Sequence, residues 1–453
     1  MVEKAKFGSK IGLVAATVGS AIGLGNVWRF PAETQANGGA AFLIVYVLCV
    51  LILGIPVMLA EFSLGRSGGT DAVGAYRKFS RRTPWWLAGA LPVLAAYLIL
   101  SFYMVVAGWT LEYFLQSLTG ALYAGVADGS ASPTGLFHER MREYICGTSG
   151  PLLNTYALIV LNLGVLLFGV RKGIERLSNV LMPLLFVLLL VFCCVSLSLP
   201  KASEGLKFFF SPDFSKITPA VVVNALGQAF FSLSLGMGIL ITYAAYYPKD
   251  TRLAKTAVTV SLLDMMAAIL MGVVIFPAVT SFGLGDADLE GTALVFVTLP
   301  EVFSRMPATQ VWSSLFFLLL LVAALTSTVS IAEVSVSFVQ NRFHRSRRAA
   351  CLIVLLPLFV LSALSAMSFG VLSDWKLCGL VFFDFLDTLA TNIMLPVASI
   401  LLCVFIGWRH PGVLRGELSN YSERDHRLQR PVEFVVRWVA PCLILVVLIS
   451  GLL

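Results

Sequence analysis

The chain has 453 residues, 58% of them hydrophobic and only 13% charged, with a mean hydropathy of +0.88. Soluble domains carry about twice that charged fraction, so a soluble enzyme or a nucleic-acid-binding protein is excluded. The net charge of +7 therefore needs an explanation in membrane topology.

Eleven apolar segments are long enough to cross a hydrocarbon core. They centre on 11–30, 40–62, 87–115, 152–170, 174–198, 218–246, 255–280, 309–340, 349–368, 378–407 and 432–452, and are numbered here as spans 1 to 11. With the N-terminus inside, the inner segments hold 23 of the 32 lysines and arginines and the outer segments 7. That asymmetry predicts a cytoplasmic N-terminus and an external C-terminus, with the spans surrounded by lipid. The eight cysteines show no disulfide framework or metal spacing. His138, His344, His410 and His426 all fall in loops, which leaves no intramembrane Ser–His pair, histidine-bound metal or haem. Neither an enzyme nor an organic cofactor is expected.

Span 1 reads Gly19-Ser20-Ala21-Ile22-Gly23-Leu24-Gly25-Asn26 at its middle, and span 6 reads Phe231-Ser232-Leu233-Ser234-Leu235-Gly236-Met237-Gly238. Glycine weakens a helix by roughly 1 kcal/mol relative to alanine, and polar groups beside it predict local unwinding around a protein-lined cavity. Either segment alone fits close helix packing as well. Two breaks five spans apart predict a five-plus-five inverted repeat whose broken helices meet at the bilayer midplane. The fold class is then all-α integral membrane, with spans 1–5 in 1–200, spans 6–10 in 201–408, and an inner loop with accessory span 11 in 409–453. Span 5 carries Gly173 and, nine residues on, Pro183. The spacing suits a helix that unwinds at its cytoplasmic end and an ordinary membrane-helix proline equally.

Span 7 contains Asp264, a carboxylate inside an apolar run. Such a group costs on the order of 3 kcal/mol on insertion scales, so it faces the protein interior and has a task. Span 8 contains Thr326 and Ser327 after a long apolar run; their hydroxyls suit a cation site, and back-bonding to the preceding turn fits them too. Among the loops, 118–150 predicts an outer cap, 281–308 a short helix near 292–304, and 409–430 a polar inner loop.

The stretches GSAIGLGNVWRFP (19–31) with NGGAAF (37–42), GQAFFSLSLGMG (227–238) and ALTSTVSI (324–331) resemble the first, sixth and eighth spans of the neurotransmitter:sodium symporters. The likeness runs over nearly the whole chain and is strongest to eleven-span bacterial members for hydrophobic amino acids. It implies a sodium-coupled symporter that takes up neutral aliphatic and aromatic amino acids (Leu, Trp, Tyr, Phe, Ile, Val, Met) by alternating access. Sodium wants oxygen ligands. The resemblance implies one Na+ site at Ala21, Asn26, Ser232 and Asp264 with the substrate carboxylate, and a second at Gly19, Ile22, Ala323, Thr326 and Ser327. For the substrate it implies Ala21, Leu24, Gly25, Tyr103, Ser232, Ser234 and Ser327 around the amino-acid backbone. Ile99, Tyr103, Phe231, Met237 and Ile331 would line the side-chain pocket; without the resemblance these five read as core.

Several positions depart from the family pattern. Asp264 stands where asparagine is familiar, and Ala268 where chloride-dependent relatives carry a serine; Tyr46, Gln228 and Ser232 occupy the other chloride-site positions. Asp264 is therefore expected to supply the negative charge and make transport chloride-independent. Gly23 replaces the aspartate of monoamine carriers, so the substrate must bring its own carboxylate. The outer gate is expected at Arg29 with Asp384, Asp387 being the weaker partner. At the inner gate Lys4, Phe7 and Asn341 replace Arg, Trp and Asp, so either the gate is leaky or Tyr246 and Phe7 carry more of the closure. Proton coupling through Asp264 or Glu333, and a channel or sensor of transporter ancestry, are the other functions open to this sequence. Glu33 and Glu61, near span ends, are expected to be structural.

Overall fold

The computed structural model describes residues 6–126, 133–284, 291–419 and 423–452. Nine continuous helices among the described residues are long and apolar enough to cross a membrane: Ala40–Gly68, Trp86–Thr119, Ser149–Leu167, Val170–Leu197, Leu253–Ser281, Thr309–Arg342, Arg347–Met367, Phe382–Arg409 and Arg427–Ser450. A tenth span is a bent pair, Lys10–Ala21 and Gly25–Ala36, with 56° between its halves.

The bend in span 1 has a local cause. Ser9 caps the first helix by accepting from the Gly12 amide at 2.9 Å. The helix ends at Ala21, where Ile22 turns extended at φ −70°, ψ 103°. The chain restarts as a π-type turn over Gly25–Arg29 and continues as Phe30–Ala36. Span 6 is broken more widely. Its helices Pro219–Ser232 and Ile239–Ala244 have 14 and 6 residues, and neither crosses a bilayer alone. Between them Ser234, Gly236 and Gly238 take φ of 54°, 78° and 72°, in the left-handed region that stops a helix. This six-residue gap separates the ten spans that the helices support from the eleven expected.

Gly236 is required for a second reason. A Cβ there would stand 2.5 Å from Ser399 Oγ and 2.6 Å from the Leu395 carbonyl oxygen, so the gap packs directly on span 10. Spans 3 and 8, each a 34-residue helix, pack along one another at the centre. The Arg427–Ser450 helix is the least buried of the nine.

Three loop features escaped the sequence. The outer cap contains a helix, Pro133–Cys146. The polar inner loop holds Pro411–Ser419 and Glu423–Phe434, which pack as a hairpin. A two-residue ladder, Lys376–Leu377 with Leu380–Val381, turns at Cys378 and Gly379, both at positive φ, and qualifies the all-α expectation. The short helix expected near 292–304 runs from Leu294 to Ser304.

Candidate functional site

The two breaks face each other in the protein interior. Ser234 Oγ donates to the Ser20 carbonyl at 2.9 Å and joins them directly. Around this contact the sequence-predicted residues form two groups.

The first group joins spans 1, 6 and 7. Asn26 Nδ2 donates to Asp264 Oδ1 at 2.9 Å, to the Asp264 carbonyl at 3.2 Å and towards Ser232 Oγ at 3.1 Å. Ser232 Oγ donates to Asp264 Oδ2 at 2.6 Å, and the Tyr46 hydroxyl lies 3.3 Å from Ser232 Oγ. Gln228 Nε2 approaches the Gly25 carbonyl at 3.4 Å, while its Oε1 is buried with no hydrogen-bond partner among the described residues. Asn26, Ser232 and Asp264 are at most 1% exposed. Among the described residues no lysine or arginine pairs with Asp264. A buried carboxylate with hydrogen bonds and no cationic side chain is a costly arrangement, and it is one that a cation relieves. Ala268, one turn on from Asp264, is fully buried and brings no hydroxyl.

The second group joins spans 1 and 8. Ser327 Oγ reaches the Ile22 carbonyl at 3.5 Å. Thr326 Oγ1 back-bonds to the Val322 and Ala323 carbonyls at 3.1 and 3.0 Å. A Cβ added at Gly19 would lie 3.2 Å from Met182 Sδ and 3.4 Å from Thr326 Cβ, so span 1 is in contact with spans 5 and 8 here. Carbonyls and hydroxyls converge here with no fixed charge, a donor set suited to a hard monovalent cation.

Between the groups, the Leu24 amide donates to the Tyr103 hydroxyl at 3.1 Å. A Cβ at Gly23 would meet Ser327 Oγ at 2.8 Å and the Tyr103 hydroxyl at 3.0 Å, which leaves no room for an aspartate. The Phe231 ring stands over Gly25, its edge 2.6 Å from where a Cβ would be. Ala21 and Met237, at the breaks themselves, are buried, as are Ile99 of span 3 and Ile331 of span 8. Phe231 also lies beneath the Arg29 guanidinium, 4.7 Å from ring centroid to Cζ.

The expected gates are built differently. Arg29 pairs with Glu33 at 3.9 Å and not with Asp384. Glu33 lies one helical turn further along the same span, whereas Asp384 and Asp387 belong to span 10. Lys4 lies outside the described residues, and Asn341 donates to Ser337 Oγ at 3.3 Å on its own helix. Phe7 is buried against Tyr243, Tyr246 and Tyr247, and its amide donates to the Tyr246 carbonyl at 3.3 Å.

Two inner-side contacts were not foreseen. Glu333 is fully buried and takes a bidentate ion pair from Arg347 at 2.8 and 2.5 Å plus the Tyr246 hydroxyl at 2.8 Å. Arg347 also donates to the Leu166 carbonyl at the end of span 4. Glu175, at the head of span 5, accepts from the Gly8 and Ser9 amides and the Ser9 hydroxyl at 2.7 to 3.0 Å. Gly173 lies within the helical turn that precedes it, and Pro183 within the helix that follows. Glu61 is fully buried mid-structure and accepts the Gly236 amide at 2.7 Å, holding the gap in span 6. The signal for Glu61 was the one used for Asp264, an acid within an apolar run.

Comparison with known proteins agrees with this arrangement. The model of the sodium:neurotransmitter symporter family matches residues 4–130 and 140–453. The uncharacterized sodium-dependent transporter YhdH of Bacillus subtilis is 36% identical, over 98% of this chain and 97% of its own length. An uncharacterized sodium-dependent transporter of Haemophilus influenzae is 33% identical over 99% of this chain and 98% of its own. The crystal structure of MhsT in complex with L-phenylalanine superposes with a TM-score of 0.88 at 40% identity, covering 99% of this chain and all of MhsT. The chain is thus a multi-pass membrane transporter and not an enzyme, and it belongs to the sodium:neurotransmitter symporter family.

Proposed function

We propose that the protein is a sodium-driven symporter that takes up neutral hydrophobic amino acids without chloride. The observation that carries this is Asp264, buried among Asn26, Ser232 and Tyr46 with no basic side chain beside it. One Na+ would be held by Asp264, Asn26, Ser232, the Ala21 carbonyl and the substrate carboxylate, so ion and substrate complete each other's site. A second would sit at Thr326, Ser327 and the carbonyls of Gly19, Ile22 and Ala323. The substrate carboxylate would meet the Leu24 and Gly25 amides and the Tyr103 hydroxyl. Its ammonium would meet the carbonyls of Ala21, Phe231 and Ser232, with Ser234 and Ser327 beside them. Its side chain would lie among Ile99, Tyr103, Phe231, Met237 and Ile331. A flexible thioether in this wall favours breadth over selectivity, and the phenylalanine bound by MhsT fits the same class.

Spans 1, 2, 6 and 7 would rock against the rest, within two inverted repeats of 1–200 and 201–408, with 409–453 accessory and the N-terminus inside. Phe231 and Arg29 would close the outside, with Asp387 as the arginine's further partner once the Glu33 contact yields. Tyr246, Glu333, Arg347 and Phe7 would close the inside. Release of the Glu175 contacts would let span 5 open at Gly173 and Pro183. The test is uptake of leucine and tryptophan into proteoliposomes under an inward sodium gradient. Replacing chloride by gluconate should leave the rate unchanged; loss of uptake in gluconate refutes chloride independence, and equal uptake under a potassium gradient refutes sodium coupling.

A further inference from the structure

A basic cleft lies away from the transport path, where the loop after span 2 meets the end of span 10. Lys78, Arg81, Arg82, Arg409 and His410 line it. A second cleft shares Arg81 and Arg82 and extends to Arg77 and Trp86. The walls are fixed by contacts of their own. Ser80 Oγ lies 2.9 Å from His410 Nε2, the Arg77 guanidinium lies 5.3 Å from the Trp86 ring centre, and the Lys78 ammonium is held by the Ser67 and Gly68 carbonyls.

Among the described residues, Arg77, Arg81, Arg82 and Arg409 have no carboxylate partner, and Glu417 and Glu433 of the inner loop pair with Arg66 and Arg415. Like charges gathered round one cleft repel, and that cost is relieved by a bound anion. The surroundings say which kind. Trp86 lines the second cleft and Trp408 precedes Arg409 in the chain; both are exposed, as tryptophans are at a membrane–water boundary. Leu87 and Leu94, each 53% exposed, lie two turns apart on one face of span 3, an apolar strip that begins next to Trp86 in the chain. The basic-residue asymmetry assigns this side to the cytoplasm.

We infer that these clefts bind the headgroup of an anionic glycerophospholipid of the inner leaflet, its phosphodiester among Arg81, Arg82 and Arg409 and its acyl chains along Leu87 and Leu94. A free anion would use the arginines and ignore the apolar strip. The site joins the loop behind span 2 to the end of span 10, so an occupied cleft ties together two separate parts of the inner face.

The test uses the purified full-length protein in neutral detergent, with lipid binding read by native mass spectrometry and by thermal unfolding. Phosphatidylglycerol is compared with phosphatidylcholine of the same chains and with inorganic phosphate. The variant Arg81→Gln/Arg82→Gln/Arg409→Gln removes three exposed charges and should fold normally. Each arginine near an anionic headgroup contributes about fivefold in affinity, so the triple variant should lose on the order of a hundredfold. A control triple, Arg342→Gln/Arg345→Gln/Arg348→Gln, removes equal charge from another inner loop and should bind phosphatidylglycerol like the parent. Equal binding of phosphatidylcholine, an equal loss in the control, or full stabilisation by phosphate alone would each overturn the inference.

Discussion

Replacing Asp264 by asparagine isolates the charge from the shape of the site. Asn26 Nδ2 can still donate to the amide oxygen where Asp264 Oδ1 stands, the new amide can donate to Ser232 Oγ, and the Ser232 hydrogen can turn to the Tyr46 hydroxyl 3.3 Å away. No buried polar group is orphaned, so Asp264→Asn should elute and unfold like the parent. What is lost is the attraction between a carboxylate and a monovalent cation. At 4 Å and an effective dielectric of about 20 this is about 4 kcal/mol, on the order of a thousandfold in sodium affinity. The assay is radiolabelled leucine binding to purified protein across a sodium titration, with potassium holding the ionic strength. A sodium midpoint within about threefold of the parent would refute the claim that Asp264 ligates sodium, since even a strongly screened charge contributes more than that.

Other consequences follow from the same geometry. Gly23→Ala puts a methyl 2.8 Å from Ser327 Oγ and 3.0 Å from the Tyr103 hydroxyl; overpacking of this kind should weaken leucine binding by about tenfold or more, read in the same assay. Glu333→Gln leaves Arg347 without its carboxylate, and breaking one side of a buried pair costs about 3–5 kcal/mol. It should lower the unfolding temperature and raise thiol labelling of an inner-pathway cysteine in a cysteine-depleted background. His410 titrates below its ordinary value of 6.5 because burial and the neighbouring Arg409 both disfavour the charged ring. The folded protein thus takes up this proton at lower pH than the unfolded chain, and stability should fall as pH drops from about 6.5. Thermal unfolding across that window should show the slope, and His410→Gln should reduce it.

The helices were legible because apolar runs of membrane length need no partner to declare themselves. The breaks in spans 1 and 6 were legible because glycine and polar residues interrupt those runs, and Asp264 stood out as an acid where acids are expensive. The convergence of Asn26, Ser232 and Asp264 came from resemblance, since residues 206 and 238 positions apart leave no local signal. The Glu333–Arg347 pair was missed for the same reason. Arg347 opens the helix of span 9, and only the fold carries it to Glu333, itself bonded by Tyr246, and to the end of span 4. The hairpin of Pro411–Ser419 and Glu423–Phe434 was hidden by its polarity; it docks on the inner end of span 2, where Arg66 pairs with Glu417, 351 residues away. The outer gate was drawn between Arg29 and Asp384 on type alone, and the turn-to-turn contact with Glu33 was overlooked.

The most direct test of sodium coupling is scintillation-proximity binding of radiolabelled leucine and tryptophan to the purified protein, in sodium and in potassium. Binding in sodium alone, abolished by Asp264→Ala and by Asn26→Ala, is the predicted result. Equal binding in the two salts would contradict a site that the ion and the substrate complete together.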